Sequence, residues 1–341
     1  MRKASPAAKP KVTIRTVAED AGVSVAAVSK VLRNAYGVSD SLRNKVTVSI
    51  EKLGYRPSTA ARGMRGRTYT VGVLLVELRN PFLAEVIDGI KPTLSDANRQ
   101  VLIGVSDAQA SLEVSLIQSM MDMRVDGLIL IAPRMNGEVL AKYAREIPIV
   151  AIGHHEPTAD TFDTVNSDDR QGARLAVRAL KDKGCHNIHM VNIPPKPDAP
   201  FVVSTQRQIG FLEGMGLSGH EAGQRVHFLP ERINAEDVKL REFFSLDPLP
   251  DGVFCWSDIH GVQLLNEAER FGVSVPARMK FVGYDNSPTA SLPLVGLSSI
   301  DQDPQRIGSK AAELLLSRID GRSVPEHLLI EPTYVDRRSS Q

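Results

Sequence analysis

Two different spacings of apolar residues divide the chain. In residues 13–54, apolar residues recur at intervals of three and four, as in helices that bury one face. From residue 69 onward, continuous apolar runs such as Val71–Val76 and Gly127–Ala132 alternate with longer amphipathic stretches such as Pro81–Asn98. Continuous apolar runs are typical of parallel strands buried on both faces. The pattern therefore predicts a small helical head and a larger α/β body.

Three short helices are predicted in the head. Thr13 is placed to cap the first helix, and Ser24 caps the second after a glycine turn. The third helix begins at Ser39 or Ser41 and ends before Gly54. A helix, a glycine turn and a second helix are the elements of a helix-turn-helix, whose second helix enters the major groove of DNA.

The body contains two successive series of alternating strands and helices. Its predicted strands are Val71–Val76, Val101–Val105, Gly127–Ala132 and Pro148–Gly153 in the first series, and Ile188–Asn192, Gly252–Cys255 and Lys280–Gly283 in the second. Such alternation predicts two lobes, each built on a doubly wound parallel sheet. Ligands of these folds bind at the carboxyl ends of the strands, so we expect a binding cleft between the lobes.

The charge is divided in the same way as the apolar pattern. The first 67 residues carry 14 Lys and Arg against 4 Asp and Glu, which leaves 27 of the 41 basic and 36 of the 40 acidic residues for the remainder. A basic segment with a helix-turn-helix pattern is typical of DNA binding. A three-helix bundle used for protein contacts would explain the apolar spacing but not the excess of basic residues.

Head and body both resemble the LacI/GalR family of bacterial transcription regulators. The head segments that carry the resemblance are VTIRTVAEDAGVSVAAVSKVLRN (Val12–Asn34) and VSDSLRNKVTVSIEKLGYRPSTAARGM (Val38–Met64). The body segments are LRNPF (Leu78–Phe82), RVDGLIL (Arg124–Leu130), RQIGF (Arg207–Phe211), FVGYDN (Phe281–Asn286) and SSIDQD (Ser298–Asp303). The resemblance implies a three-helix DNA-binding head joined to a body like the periplasmic binding proteins, with two doubly wound parallel-sheet lobes.

The resemblance also implies a division of the chain into four parts. These are a basic flexible tail (1–11), a helix-turn-helix domain (12–57), a hinge helix or linker (58–68) and an effector-binding and dimerisation domain (69–338). Within the last part, lobe 1 is expected over about 69–166 and 298–328, and lobe 2 over about 167–297 and 329–338.

Roles in DNA binding follow from the same resemblance. It implies that Val25, Ala26 and Lys30 are the main base-reading residues. The first two can touch thymine methyl groups, whereas Lys30 can donate to guanine or to phosphate. Contacts to phosphate are expected from three hydroxyl residues: Thr13, Ser24 and Ser29. The alternative for the Val25–Ala26 pair is packing in the core of the head.

The segment after Pro57 resembles the hinge helix of this family, which enters the minor groove in pairs. Ser58 stands where the family usually has Asn, and Ala61 belongs to its usual Ala-Arg pair. Met64 occupies the position of a leucine that inserts between the central base pairs and kinks the DNA. The alternative is an ordinary solvated linker with an apolar residue of no special role.

Candidate ligand-binding residues follow the strands of the body, where the matched family motifs place pocket residues. They are Asn80, Phe82, Asp107, Arg207, Trp256, Ser257, Asp258 and Asp285. Carboxylates and Arg suit hydrogen bonding to sugar hydroxyls, and the two aromatic rings suit a sugar ring. Trp256 could instead pack within a lobe, and Asp258 or Asp285 could cap a helix. A sugar, sugar acid or sugar phosphate is favoured over a purine.

Three other motifs receive structural interpretations. The GxGxxG at 214–219 follows a helix rather than a strand, so we expect a helix end and a loop instead of a dinucleotide site. The Cys-His-x-x-His run at 185–189 has no evident fourth ligand, so no metal is expected. His154 and His155 are adjacent in a strand, so at most one of them faces the cleft.

Together these features predict a cytoplasmic, homodimeric transcription regulator, most simply a repressor, that binds a pseudo-palindromic operator and a small effector. No signal peptide or spanning segment is evident, so we expect no contact with membranes. No nucleophile–base motif is evident either, so we expect the protein not to be an enzyme. No cofactor is expected. Two cysteines exclude a disulfide framework. No leucine heptad follows the last strand, which favours a dimer over a tetramer. The alternatives are a solute-binding protein and a sugar-modifying enzyme with the same body fold.

Overall fold

A computed structural model describes residues 12–32, 35–56, 67–194, 201–230 and 238–341. The chain divides after Thr68 into two compact units, the head and the body. The predicted tail, most of the hinge segment and three predicted DNA-binding residues fall outside the described residues: Ser58, Ala61 and Met64. In the described part of the chain, no helix is long and apolar enough to cross a membrane.

The head contains the three predicted helices, α1 (Ile14–Ala21), α2 (Val25–Leu32) and α3 (Asp40–Leu53). Ser39 is the residue that caps α3, since its hydroxyl accepts from the backbone N–H of Leu42 at 3.3 Å. The three helices share a core whose buried residues are Val17, Ala18, Val28, Val31 and Val46. Each helix is too short to be stable alone, so this shared core holds the head together.

Lobe 1 of the body is a six-stranded parallel sheet in the order β11-β5-β4-β3-β1-β2. Its strands are β1 (Thr70–Leu75), β2 (Gln100–Val105), β3 (Gly127–Ile131), β4 (Ile149–Ile152), β5 (Asp163–Ser167) and β11 (His327–Ile330). Its helices are α4 (Pro81–Asp96), α5 (Ala110–Asp122), α6 (Gly137–Ala144) and α13 (Pro304–Ile319). The predicted alternation of buried strands and amphipathic helices is confirmed.

Lobe 2 is a second six-stranded sheet in the order β12-β10-β9-β8-β6-β7, in which β12 alone pairs antiparallel. Its strands are β6 (Ile188–Asn192), β7 (Val226–Phe228), β8 (Gly252–Cys255), β9 (Lys280–Tyr284), β10 (Ser298–Asp301) and β12 (Thr333–Val335). Its helices are α7 (Asp169–Asp182), α8 (Val203–Met215), α9 (Gly219–Arg225), α10 (Val238–Phe244), α11 (Asp258–Arg270) and α12 (Pro288–Ser291), and a 3₁₀ turn follows at Arg338–Ser340.

The points at which the chain changes lobe differ slightly from the prediction. Residues 298–328 were expected in lobe 1, but Ser298–Asp301 forms β10 of lobe 2, where Ser298 pairs with Val282 of β9. The crossing therefore lies between β10 and α13. Similarly, β11 extends lobe 1 to Ile330 rather than to residue 328. A strand must finish its pairing before the chain can leave the sheet, so each crossing falls after the strand end.

Close contacts between helices position the residues that approach the cleft. In lobe 1, α13 packs so tightly on α4 that a Cβ added at Gly308 would lie 2.1 Å from the carbonyl oxygen of Val86. In lobe 2, a Cβ added at Gly210 of α8 would lie 2.3 Å from the carbonyl oxygen of Arg170 on α7. Only glycine permits either approach, so these two glycines set the distance between the helices of each pair.

Candidate functional site

The face of α2 that lies opposite its buried valines is open to solvent. Ala26 and Lys30 are four residues apart and exposed, so they share one face of the helix. Val25 and Ser29 beside them are half-buried, and Val25 also packs on the core of the head. Core packing therefore accounts for part of Val25 but not for Ala26, and the four residues form one accessible surface.

Thr13 and Ser24 are helix caps at exposed positions. The Thr13 hydroxyl accepts from the backbone N–H of Thr16 at 3.3 Å, and the Ser24 hydroxyl accepts from that of Ala27 at 3.1 Å. The predicted capping roles are confirmed. Both residues stand at helix N-termini, where the exposed N–H groups and the helix dipole favour an anion such as phosphate.

Sequence reasoning did not single out Tyr36, which lies in the loop between α2 and α3. Its side chain is 106% exposed, so it does not pack against the described residues of the head. Tyrosine hydroxyls are among the groups that donate to phosphate oxygens in complexes with DNA. The available signal was a lone aromatic residue in a predicted turn.

The cleft of the body lies where strands of both sheets end, and it encloses about 100 Å³. Lobe 1 contributes residues that follow β1, β3, β4 and β5, and lobe 2 contributes residues that follow β8 and β9, together with residues of α8. Five of the eight predicted ligand-binding residues line it: Asn80, Phe82, Arg207, Trp256 and Asp285. Parallel strands bring their carboxyl ends to one edge, which explains why residues distant in sequence converge here.

Arg207 is the buried centre of this cleft. Its Nε donates to Asp169 Oδ1 at 2.7 Å, and its Nη1 donates to the carbonyl oxygen of Trp256 at 2.5 Å. The guanidinium also lies over the ring of Tyr284, 3.7 Å from the centroid. Burial alone would raise the pKa of Asp169, but the attraction and hydrogen bond of Arg207 together with those of His155 outweigh burial and hold this pKa below its ordinary value.

Asp285 is a second buried carboxylate, and neighbouring amides hold it. Gln302 Nε2 donates to Oδ1 at 2.6 Å, and Asn80 Nδ2 donates to Oδ2 at 3.3 Å. Arg207 Nη1 is 3.8 Å from Oδ1. Burial raises the pKa of Asp285 to about 8 although Arg207 opposes this shift. The carboxyl group therefore retains a proton near neutral pH and can donate to a ligand as well as accept from it.

The two aromatic residues predicted for the cleft both line it. Phe82 lies in the first turn of α4, two residues after Asn80, whose side chain caps this helix by accepting from the backbone N–H of Phe82 at 3.0 Å. The Trp256 Nε1–H is buried and has no hydrogen-bond partner among the described residues. Packing within a lobe therefore does not fully account for Trp256.

Two residues of the cleft network, Asp169 and Gln302, were missed from the sequence, whereas His155 was one of two histidines considered for the cleft. Asp169 pairs with Arg207, Gln302 holds Asp285, and His155 Nε2 lies 2.6 Å from Asp169 Oδ2. The adjacent His154 turns the other way, with its Nε2 2.8 Å from Glu156. Both histidines follow the end of β4 rather than lie within it, and neither lines the cleft, so the premise that they are adjacent in a strand is wrong.

Three other predicted residues lie elsewhere than in the lining of the cleft. Asp107 is exposed in a turn of positive φ before α5. Ser257 is buried, with its hydroxyl 3.1 Å from His260 Nδ1. Asp258 accepts from the Ser299 hydroxyl and from the backbone N–H of Ser287, both at 2.6 Å. Asp258, in the first turn of α11, thus bonds to β10 and to the loop after β9, because its carboxylate points into lobe 2.

Two of the motifs interpreted as structural can be located. The 214–219 run contains the end of α8, and Gly216 is its C-cap with φ 72°, which confirms a helix end and loop. In the 185–189 run, His189 Nδ1 lies 2.7 Å from His227 Nε2 on the neighbouring strand. Burial lowers the pKa of His189 to about 4, so the two rings pair in their neutral form.

The chain matches two known family models. Residues 13–58 match the model of bacterial regulatory proteins of the lacI family, and residues 177–340 match that of the periplasmic binding protein-like domain. A head that presents one helix face and a two-lobed body with a central cleft together define a regulator of the helix-turn-helix class.

Comparison with whole proteins gives the same result. Catabolite control protein A of Priestia megaterium is 29% identical over 338 residues, which is 96% of this chain and 99% of that protein. The regulator CelR in complex with cellobiose is 26% identical, with a TM-score of 0.71 over 96% of this chain and 100% of that one. The lac repressor dimer bound to operator shares the fold, with a TM-score of 0.79 at 21% identity over 97% and 99% of the two chains. The chain belongs to the LacI family of bacterial regulatory proteins.

Proposed function

We propose that the protein is a transcription regulator whose head binds operator DNA and whose cleft binds a small polar effector. The observation that carries this proposal is the presence in one chain of an exposed helix-turn-helix face and a buried polar cleft at the strand ends. The relatives that cover nearly the whole chain are named as repressors and control proteins, which favours repression. A regulator of this kind acts in the cytoplasm, where the chromosome lies.

The head reads a half-site through the surface formed by Val25, Ala26, Ser29 and Lys30. Thr13, Ser24 and Tyr36 contact phosphates on either side, and Met64 of the hinge segment inserts at the centre of the site. Because each chain has a single head, a homodimer on a pseudo-palindrome places two heads on two half-sites. The solved lac repressor is itself a dimer on its operator.

The effector is a sugar or a sugar derivative. Carboxylate, guanidinium and amide groups converge in the cleft with the aromatic residues Phe82 and Trp256. The relative CelR, solved with cellobiose, and the relative named ribose operon repressor support a carbohydrate. Binding controls the head only if the effector has different affinities for two arrangements of the protein.

The test is to incubate the purified chain with fragmented genomic DNA and to sequence what it retains, with and without sugars. A pseudo-palindrome upstream of a few genes is expected, and a sugar related to those genes should change its retention. Retention without sequence preference under every condition would contradict the proposal. Chemical conversion of a bound sugar would instead favour an enzyme. The basic head argues against a solute-binding protein, because binding a solute does not require a DNA-binding domain.

A further inference from the structure

The balance of charge in the cleft indicates which class of ligand it accepts. We infer that the cleft binds an uncharged polyhydroxylated ligand, a neutral sugar, and discriminates against phosphorylated and carboxylate-bearing forms of the same sugar. The inference rests on the proposed function, because it takes the cleft as the effector site. It narrows that function, in which sugars, sugar acids and sugar phosphates are equal candidates.

The central guanidinium of the cleft is already neutralised. Arg207 donates to Asp169 at 2.7 Å and lies 3.8 Å from Asp285. Its other contacts are the carbonyl oxygen of Trp256 and the ring of Tyr284. An anionic ligand would compete with Asp169 for the guanidinium and leave this carboxylate, which is 1% exposed, without its counter-charge.

The other charged groups of the lining do not reverse this balance. Two ionised carboxylates line the cleft, from Glu77 and Asp169, against two guanidiniums, from Arg134 and Arg207, while the buried Asp285 is protonated. Behind Arg134, the buried carboxylate of Glu113 accepts the Arg134 backbone N–H at 3.0 Å. The charges of the lining therefore already balance, so an anionic ligand would add negative charge without a surplus cation to receive it in a site screened from water.

Neutral hydrogen-bonding groups face the same space. Amide and hydroxyl side chains in the lining belong to Asn80, Ser167, Ser204 and Gln302, whereas the amide of Asn166 is bonded at both ends to the backbone of His154. The buried Trp256 Nε1–H has no protein partner among the described residues. A buried donor left unpaired costs free energy, so a ligand oxygen that accepts from it is bound more tightly. Sugar hydroxyls, which both donate and accept, match this set of groups.

The first test uses the only tryptophan of the chain, Trp256, as a reporter inside the cleft. The full chain is titrated with glucose, galactose, xylose, ribose, cellobiose and sucrose, and with glucose 6-phosphate, glucuronate and ribose 5-phosphate, while fluorescence and thermal unfolding are followed. At least one neutral sugar should bind, and charged counterparts should bind at least about tenfold more weakly. A charged form that binds as tightly as its neutral parent would overturn the inference, as would a panel in which no neutral sugar binds.

The second test changes the charge of the cleft. Asp169→Asn keeps the shape of the side chain but removes the counter-charge of Arg207, so glucose 6-phosphate and glucuronate should bind about tenfold more tightly than to the unmodified chain. The matched control is Asp182→Asn, which removes an exposed carboxylate at the other end of α7 and should change nothing. A folded Asp169→Asn variant with no gain in anion binding would overturn the inference.

Both tests report on the cleft alone and need no DNA. Failure of the proposed function would appear differently, as retention of DNA without sequence preference while the selectivity of the cleft for neutral sugars is unchanged. Conversely, selective DNA retention together with tight binding of a sugar phosphate would leave the proposed function intact and refute only the inference about charge.

Discussion

Replacing Arg207 by alanine should destabilise the body as well as remove a ligand contact. The guanidinium is 4% exposed and its Nε lies 2.7 Å from Asp169, which is 1% exposed. Alanine leaves that carboxylate buried without a counter-charge and leaves the carbonyl oxygen of Trp256 without its donor. Breaking one side of a buried ion pair costs about 3–5 kcal/mol. This is a large part of the free energy of unfolding of a typical domain, roughly 5–15 kcal/mol.

The loss is measured by thermal unfolding of the full chain, followed by circular dichroism. For a body of this size, the midpoint of thermal unfolding falls by about 2 °C for each kcal/mol of stability lost. A loss of about 3–5 kcal/mol therefore lowers the midpoint by roughly 6–10 °C. The double variant Arg207→Met/Asp169→Asn removes both charges and puts an apolar chain in place of the arginine stem. It should regain most of the lost stability, because no buried charge is left unpaired. Binding of sugar should remain impaired, because the arginine and the aspartate at the centre of the cleft are both gone.

Two results would refute this reasoning. An Arg207→Ala variant that unfolds within about 2 °C of the unmodified chain would mean that the ion pair contributes little to stability. A double variant no more stable than the single one would mean that lost packing, rather than the unpaired Asp169, causes the destabilisation. Retention of DNA by the double variant serves as the control that the head is unaffected.

Three further measurements test other parts of the chain. Gly308→Ala places a methyl group 2.1 Å from the carbonyl oxygen of Val86, so the free energy of unfolding should fall by about 1–3 kcal/mol. The control is Gly223→Ala, which should have little effect because the space around Gly223 is open. The pKa of His189 is about 4 in the folded chain against 6.5 for an unperturbed histidine. Between pH 4 and pH 6.5 the unfolded chain therefore binds more protons than the folded chain. The stability that is present above pH 6.5 is lost as the pH falls towards 4. His189→Gln should flatten that decline in unfolding curves, and an equally steep decline would contradict the assignment. Lys30→Ala should weaken operator retention and lower the slope of its salt dependence by about one if Lys30 contacts phosphate, whereas relaxed preference at one base pair would show that it reads a base.

Apolar pattern was sufficient to predict the layers of both lobes. Runs such as Val71–Val76 and Gly127–Ala132 are buried on both faces, and burial of that kind leaves a continuous apolar signature. The predicted strand ends together with the family resemblance placed Asn80, Phe82 and Asp285 at the cleft, because strand ends in a parallel sheet converge. Strands that no apolar run marks were not predicted, as in the serine-rich β10.

The partners within the cleft could not be predicted, because they depend on contacts between distant segments. Asp169 and Arg207 are 38 residues apart, and Asn80 and Asp285 are 205 apart. The sequence shows that Arg207 begins the RQIGF segment, but it does not show which of the many carboxylates lies beside the guanidinium. Asp258 illustrates the converse error, since the turn of helix that follows Trp256 rotates its carboxylate into lobe 2 and away from the cleft.

The cleft links lobe closure to ligand binding through bonds that cross between the lobes. Asn80 and His155, on the lobe 1 side, hold Asp285 and Asp169 of lobe 2. A hexose that enters the cleft, which holds about 100 Å³, meets the groups that join the two lobes. Its hydroxyls must then replace cross-lobe bonds that protein groups make here. A ligand that does so favours one separation of the lobes over another, and such a difference in affinity is what an effector needs in order to act on a distant DNA-binding head.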